Sequence, residues 1–191
     1  MHDIYSKKCW KYHTTQCGSY KHEGDCYNRE HSWPKSWWGG PDADQNAYTD
    51  LHHIFPADGY DNNRRSSYPY GNIDAGTTIY ETNNGCRLGT CDTKDFGVVT
   101  CWEVTDSLKG DLARGYFYMS TRYMTEFKCC DEEGVDDAKI NSWMEATLRE
   151  WHNSDPVDED EYYRQNAIFD IQNNRNPFID NPEWVSKIYN F

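Results

Sequence analysis

The sequence contains no long apolar run and has few aliphatic residues. No stretch approaches the ~18 apolar residues that cross a bilayer, and residues 1–6 lack the basic region and apolar run of a signal peptide. Hydrophobic residues make up 37% of the 191-residue chain, below the ~45–50% of ordinary globular domains. These absences argue against a membrane-spanning protein.

Aromatic residues compensate for the shortage of aliphatic ones. They make up 16% of the chain, with 8 Trp, 15 Tyr and 7 Phe, and each large ring can bury much apolar surface. That content excludes a disordered chain. Because 191 residues suit one core of ordinary size, we predict a single domain over residues 1–191.

Positive charge is scarce and unevenly placed. Lys and Arg number 19 against 32 Asp and Glu, which gives a net charge of −13. Residues 1–71 carry a net charge of −1 and residues 72–191 a net charge of −12, whereas six of the seven His lie in the first part. Acidic surfaces repel nucleic acids and membranes. Because His side chains can bind metal or move protons near neutral pH, any site is expected early in the chain.

The cysteine pattern lacks the C-x-x-C pairs of common zinc sites. Eight cysteines are many for a cytosolic protein, so a disulfide framework is the leading interpretation, with free thiols and zinc as alternatives. Cys86 and Cys91 could staple a hairpin. The adjacent Cys129 and Cys130 are expected to reach separate partners.

The first half reads as strands and long loops, and the second half as helices. Residues 77–80 and 96–104 are predicted strands, and Asn84-Gly85 is a hairpin signal. Apolar residues recur every three or four positions over 107–127 and 137–152. A third helix is predicted from an Asp155 cap through 171, and a short one from 181. We therefore predict an α+β fold with a helical part over about 106–190.

Glu30-His31 and Asn62 form the strongest candidate site. Consecutive strand residues point to opposite sides, so Glu30 and His31 could serve a shared ligand without pairing with each other. Asn62 follows Pro56-x-x-Gly59, where a helix can begin. A carboxylate, an amide oxygen and waters suit Mg²⁺, although Asn62 could equally be a cap or turn residue.

His52 and His53 are a second pair of metal-capable side chains. They could be zinc ligands, but adjacent strand residues point apart. Packing roles, or roles in supporting other ligands, are therefore favoured for both.

Several motifs, in the same order along almost the whole chain, resemble bacterial endonuclease I. The resemblance runs from about Asp3 to Tyr189, and it rests on residues 26–37, 49–56, 62–66, 109–119, 151–152 with 155–158, and 174–180. It implies a secreted or periplasmic, sequence-nonspecific nuclease with a ββα-metal (His-Me finger) core within about 27–66, flanked by strands and several helices. It further implies an exported mature protein, with Met1 marking a trimmed or engineered start.

Carried over residue by residue, the resemblance implies that His31 is the general base and that Glu30 and Asn62 hold the metal. The implied cofactor is Mg²⁺, with Mn²⁺ or Ca²⁺ able to take its place. The family's phosphate-contacting Arg, on a longer loop after the catalytic His, has no obvious match here. The substrate-binding candidates, each of which could also be a structural or surface cation, are Lys35, Arg64, Arg65, Arg114 and Arg175.

The expected function is therefore nonspecific, Mg²⁺-assisted hydrolysis of DNA, with RNA left open, to give 5′-phosphate ends. The partner is a nucleic acid substrate, no membrane is involved, and the chain is expected to be a monomer. A rival hypothesis is a secreted carbohydrate-binding module, motivated by Trp33, Trp37, Trp38 and the many Tyr.

Overall fold

The computed structural model describes residues 1–191 and confirms a mixed α+β fold with small sheets and several helices. The strands are β1 (Tyr27–His31), β2 (Ile54–Asp58), β3 (Tyr80–Glu81), β4 (Arg87–Thr93), β5 (Gly97–Glu103), β6 (Val135–Asp136) and β7 (Lys139–Ile140). The α-helices are α1 (Gln45–Thr49), α2 (Gly59–Arg65), α3 (Asp106–Arg122), α4 (Ser142–Ser154), α5 (Glu159–Gln172) and α6 (Pro177–Asp180). Short 3₁₀ helices cover Lys35–Trp37, Gly40–Asp42 and Pro182–Lys187.

The chain divides into two compact units, which are described separately. Unit 1 comprises Met1–Glu30 and Phe55–Thr105, and unit 2 comprises His31–Ile54 and Asp106–Phe191. No helix has both the length and the apolar character that a bilayer crossing demands. The prediction of one domain stays a prediction.

Unit 1 contains an antiparallel sheet in the order β3-β4-β5. The predicted Asn84-Gly85 turn joins β3 to β4, and Gly85 has a φ of 90°, a left-handed conformation that favours glycine. The predicted strand at 96–104 is β5, but only Tyr80 of the predicted strand at 77–80 lies within a strand, β3. The core of this unit includes Tyr5 and Trp102, whose rings meet edge to face at 5.2 Å.

Unit 2 is helical and its core is largely aromatic. Trp33 stacks on Tyr116 of α3 at 5.1 Å between ring centroids, and Trp38 stacks on Phe127 at 5.2 Å. Trp33, Trp37 and Trp38 are all buried. The expectation that aromatic rings supply the apolar core is therefore confirmed.

Two helices of unit 2 begin or end elsewhere than predicted. Helix α3 begins at Asp106, one residue before the predicted stretch 107–127, and ends at Arg122, although Tyr123 and Phe127 are buried beyond its end. Helix α4 begins at Ser142 rather than 137, because residues 135–140 form the β6-β7 hairpin. Ile140 is buried as predicted, but from a strand.

The predicted cap of the third helix was wrong by three residues. Asp158 caps α5 by accepting a hydrogen bond from the Glu161 N–H at 2.9 Å. Asp155 instead accepts from the Gly110 N–H of α3 at 2.8 Å. A sequence with two Asp residues three positions apart does not show which one meets a competing donor.

Six cysteines are paired, and two pairings differ from those expected. The disulfides join Cys17 to Cys26, Cys91 to Cys101, and Cys129 to Cys130, while Cys9 and Cys86 are free thiols. Cys91 lies directly across β4-β5 from Val99, near Cys101, and so does not meet Cys86. The adjacent Cys129 and Cys130 bond to each other rather than to separate partners.

Candidate active site

The end of β1 and the helix α2 place two oxygen-bearing side chains of unit 1 together. Asp58 caps α2 by accepting from the Tyr60 N–H at 2.8 Å, so the helix begins at Gly59, as predicted. Asn28 and Glu30, on one face of β1, both contact α2: Asn28 bonds to Asn62, and Glu30 pairs with Arg65. The alternation of the strand thus aims Glu30 at the helix that carries Asn62.

Glu30 is a buried carboxylate that uses one oxygen for both of its contacts. Its Oε1 accepts from the Tyr5 hydroxyl at 2.8 Å and from Arg65 Nη1 at 2.9 Å. Only 2% of the residue is exposed, and this burial raises the pKa of Glu30 to about 7 against the opposing effects of Arg65 and Tyr5. Neither contact involves Oε2, which is left for a further ligand.

The amide of Asn62 is oriented by a backbone carbonyl. Its Nδ2 lies 3.2 Å from Arg29 O and 2.6 Å from Asn28 Oδ1. Because a carbonyl oxygen can only accept, Nδ2 must face Arg29 and Oδ1 must point away from it. Asn62 therefore lies inside α2 and caps nothing, and its amide oxygen is a candidate metal ligand.

His31 follows Glu30 in the chain and lies in unit 2, where its tautomer is defined. Its Nε2 lies 3.0 Å from Tyr48 O, and its ring stacks on the Tyr48 ring at 4.9 Å. Since the carbonyl only accepts, Nε2 carries a proton, and the neutral imidazole has its lone pair on Nδ1. A fixed imidazole with a basic Nδ1 suits a general base.

His52 and His53 are buried in unit 2. Burial lowers the pKa of each imidazole to about 4, so both are neutral at pH 7. His53 Nε2 donates to Ala47 O at 2.8 Å, and its ring meets that of His31 edge to face at 5.3 Å. The structure holds no group of three or more His, Cys, Asp or Glu side chains placed to bind a metal, so nothing here supports the zinc alternative.

The five candidate cations fall into different environments. Arg65 and Arg114 are buried and paired with Glu30 and Glu161 respectively. Lys35 and Arg64 are exposed, and Arg64 lies over the rings of Tyr60 and Tyr80 at 4.9 and 5.5 Å. Arg175 is half-buried and forms two 2.7 Å contacts with Asp180.

Sequence reasoning missed the groups that orient these side chains. Tyr5, Tyr48 and the carbonyl of Arg29 each fix a candidate residue. Tyr5 lies 25 positions from Glu30, and the other two act through ring stacking or backbone atoms. No spacing rule signals such contacts.

The comparisons with known proteins agree with one family. The family model for Endonuclease I matches residues 1–183. The extracellular ribonuclease of Bacillus subtilis (strain 168) is 36% identical over 169 residues, which cover 85% of this chain and 54% of that protein. The extracellular ribonuclease of Bacillus amyloliquefaciens is 35% identical over the same length, with the same coverage of both chains.

A third relative carries a different name. Endonuclease-1 of Buchnera aphidicola subsp. Baizongia pistaciae (strain Bp) is 30% identical over 135 residues, which cover 71% of this chain and 47% of that protein. The chain thus spans about half the length of the curated relatives it matches. The match of the family model over nearly the whole chain shows that the protein belongs to the Endonuclease I family.

Proposed function

We propose that this protein is a metal-dependent endonuclease that hydrolyses phosphodiester bonds without sequence preference. Membership of the Endonuclease I family and the nuclease names of the relatives support this proposal. One observation carries it: two consecutive residues present a carboxylate with an unused oxygen and an imidazole with its lone pair on Nδ1. A carboxylate oxygen of this kind can bind a metal, and an imidazole of this kind can accept a proton.

The donor set fits a hard divalent cation. Glu30 Oε2 and Asn62 Oδ1 would hold Mg²⁺, with Mn²⁺ or Ca²⁺ able to replace it, because Mg²⁺ prefers oxygen ligands and keeps several waters. Two protein ligands are enough for such a site, in line with the absence of a larger cluster of acidic residues and histidines. When bound, the ion would stabilise negative charge on the phosphate and on the leaving oxygen.

His31 would act as the general base. Its Nδ1 takes a proton from water while the water oxygen attacks phosphorus, and the bond from phosphorus to the 3′ oxygen breaks. The products are a 5′-phosphate and, after the leaving oxygen gains a proton from solvent, a 3′-hydroxyl. The bond from Nε2 to Tyr48 O keeps the ring in the tautomer that this step requires.

The substrate would be DNA, with RNA hydrolysis by the same site equally compatible with the chemistry. Contacts to phosphates position a duplex but read no bases, which accounts for nonspecific cleavage. Of the candidate cations, Lys35 and Arg64 are exposed and suited to phosphate contact. The buried pairs of Arg65 and Arg114 favour structural roles instead.

The proposed setting is an exported monomer. Three disulfides in the structure fit an oxidising compartment. The rival hypothesis of a carbohydrate-binding module was motivated by Trp33, Trp37, Trp38 and the many Tyr. The three Trp residues are at most 2% exposed and cannot stack on a sugar.

A plasmid assay tests the proposal. In Mg²⁺ the protein should nick and then linearise supercoiled plasmid. If the same site also hydrolyses RNA, the protein should degrade single-stranded RNA as well. EDTA should abolish cleavage of both substrates. His31→Ala, purified in parallel, controls for contaminating nucleases. Persistent cleavage by the wild type in EDTA would contradict the metal dependence.

A further inference from the structure

A chain of buried hydroxyl groups ends at the carboxylate of Glu30. Tyr5 and Tyr70 hydroxyls are 2.7 Å apart, and the Tyr5 hydroxyl is 2.8 Å from Glu30 Oε1. An ionised carboxylate only accepts, so Tyr5 donates its single hydroxyl proton to Glu30, and Tyr70 must donate to Tyr5. Both tyrosines are fully buried, and burial raises the pKa of each, which keeps them as donors.

Tyr5 is itself held rigidly. Asp3 Oδ1 accepts from the backbone N–H groups of Tyr5 and Ser6, both at 2.7 Å. The Tyr5 carbonyl accepts from the Thr82 hydroxyl at 3.3 Å, and its ring packs edge-on against Trp102. The contacts of the segment Asp3–Ser6 thus fix the position of the Tyr5 hydroxyl group.

Arg65 of α2 is the second side chain that donates to Glu30. It is 1% exposed, donates from Nη1 to Glu30 Oε1, and lies 4.6 Å from the centroid of the Tyr70 ring. Two donors therefore converge on one carboxylate oxygen. A carboxylate held in this way cannot rotate about its last bond without breaking both hydrogen bonds.

We propose that Tyr5, supported by Tyr70 and Arg65, is a positioning residue that fixes Glu30 so that Oε2 remains for a divalent cation. The inference rests on the proposed function, because Glu30 must be a ligand for its orientation to matter. Partners that orient metal ligands typically contribute 10- to 100-fold to metal affinity, about 1.4 to 2.7 kcal/mol. Tyr5 would act through Glu30 and touch neither substrate nor ion.

The test is Mn²⁺ binding measured by isothermal titration calorimetry on the full chain without nucleic acid. Tyr5→Phe keeps the ring against Trp102 and removes the hydroxyl, and it should weaken Mn²⁺ binding about tenfold or more. Tyr70→Phe removes the more distant hydroxyl and should weaken binding by a smaller factor. Thermal unfolding of each variant checks that the fold is retained.

Tyr118→Phe is the matched control. The Tyr118 hydroxyl donates to Asp50 at 2.7 Å and accepts from Asn174 at 2.7 Å, so it repeats in unit 2 the arrangement of Tyr5 between Glu30 and Tyr70. Removing it costs a similar buried hydrogen bond but has no connection to Glu30. Its Mn²⁺ affinity should match that of the wild type.

The outcomes separate this inference from the proposed function. Tyr5→Phe with wild-type Mn²⁺ affinity, or an equal loss in Tyr118→Phe, would overturn the positioning role. Unchanged Mn²⁺ affinity in Glu30→Ala would instead overturn Glu30 as a ligand, and the positioning role with it. Should Tyr5→Phe fail to fold, Tyr70→Phe decides: a loss of affinity supports the network and wild-type affinity refutes it.

Discussion

Two buried arginine–glutamate pairs, one in each unit, differ in how much of the carboxylate they use. In unit 1, Arg65 contacts only Oε1 of Glu30, and Tyr5 shares that oxygen. In unit 2, Arg114 donates from Nε to Oε1 of Glu161 at 2.8 Å, and its Nη2 lies 2.7 Å from Oε2. Both oxygens of the second carboxylate lie within ion-pair distance of the guanidinium, although only Oε1 accepts a hydrogen bond.

The guanidinium groups differ in the same way. Arg114 also donates to Asp155 O at 2.9 Å and to Asp111 Oδ1 at 3.2 Å, so its charge is dispersed over several acceptors. This pair joins α3 to α5 and to the preceding loop. A pair in which the cation contacts both carboxylate oxygens is suited to hold structure, whereas a pair in which it contacts one oxygen leaves the other for a different ligand.

The largest expected effect distinguishes His31, the proposed general base, from Glu30, a proposed metal ligand. His31→Ala should lower turnover by about 10² to 10⁴, the usual contribution of general acid–base catalysis. Mn²⁺ affinity should be unchanged, because His31 is not proposed as a ligand. Plasmid nicking rates at saturating Mg²⁺, together with calorimetry, measure the two quantities.

Metal titration further distinguishes the proposed ligands from the proposed general base. Glu30→Ala and Asn62→Ala should regain part of their activity as Mg²⁺ or Mn²⁺ rises, because excess ion compensates for weak binding but not for a missing base. Imidazole in solution should partly restore His31→Gly and neither ligand variant. Recovery of His31→Ala by metal to the same degree as Asn62→Ala would make His31 a ligand instead.

The next effect concerns the buried pair of Arg114 and Glu161. Glu161→Gln should lower the free energy of unfolding by about 3 to 5 kcal/mol, since it leaves Arg114 buried with a weakened partner. Urea denaturation followed by circular dichroism measures the change. Glu159→Gln, two residues earlier on the exposed side of α5, is the control and should change stability by less than about 0.5 kcal/mol.

Equal stability of Glu161→Gln and Glu159→Gln would show that the Arg114–Glu161 pair does not stabilise the fold. In the sequence alone, both residues are acidic side chains in the first turn of α5, with nothing to distinguish their roles. Only packing against α3 separates them, because Glu161 is 4% exposed and meets Arg114, 47 positions away.

A third effect tests a buried imidazole whose charged form is opposed by burial more than it is favoured by the nearby Asp50. Burial lowers the pKa of His52 from 6.5 to about 4, so the unfolded chain binds a proton there more readily than the folded chain between those values. The stability that this group contributes is present above pH 6.5 and is lost as the pH falls toward 4. The loss is about 3 kcal/mol over that window.

His52→Gln removes the titrating group. The difference in unfolding free energy between the wild type and His52→Gln should therefore shrink by about 3 kcal/mol from pH 7 to pH 4. Urea denaturation at several pH values measures this difference, and other titrating groups cancel in it. Parallel pH profiles for the two proteins would show that His52 is not held neutral.

The sequence predicted where the candidate site lies and which residues are its candidate ligands. It did not predict the side chains that hold those residues in place. The start of α2 at Gly59 and the direction of Glu30 toward α2 follow from local rules of turns and strands. The spare oxygen of Glu30 depends on Tyr5 and Arg65, which lie 25 and 35 positions away. Contacts of that range are set by the packing of the whole unit, and no periodicity encodes them.

The smallest effect extends the comparison from carboxylates to exposed cations. Arg64 contacts Tyr60 and Tyr80 rather than a carboxylate. Arg175 is instead neutralised by two contacts to Asp180. If an uncommitted group is what binds substrate, Arg64→Ala should weaken DNA binding about threefold to tenfold, and Arg175→Ala should change it by less than twofold. The slope of log Kd against log salt concentration should fall by about 0.9 for Arg64→Ala, because one phosphate contact is lost.

Both variants are best measured by fluorescence anisotropy with a labelled duplex, in a His31→Ala background that prevents cleavage. An unchanged slope in Arg64→Ala, or an equal change in Arg175→Ala, would show that the pairing of a cation does not decide whether it meets the substrate.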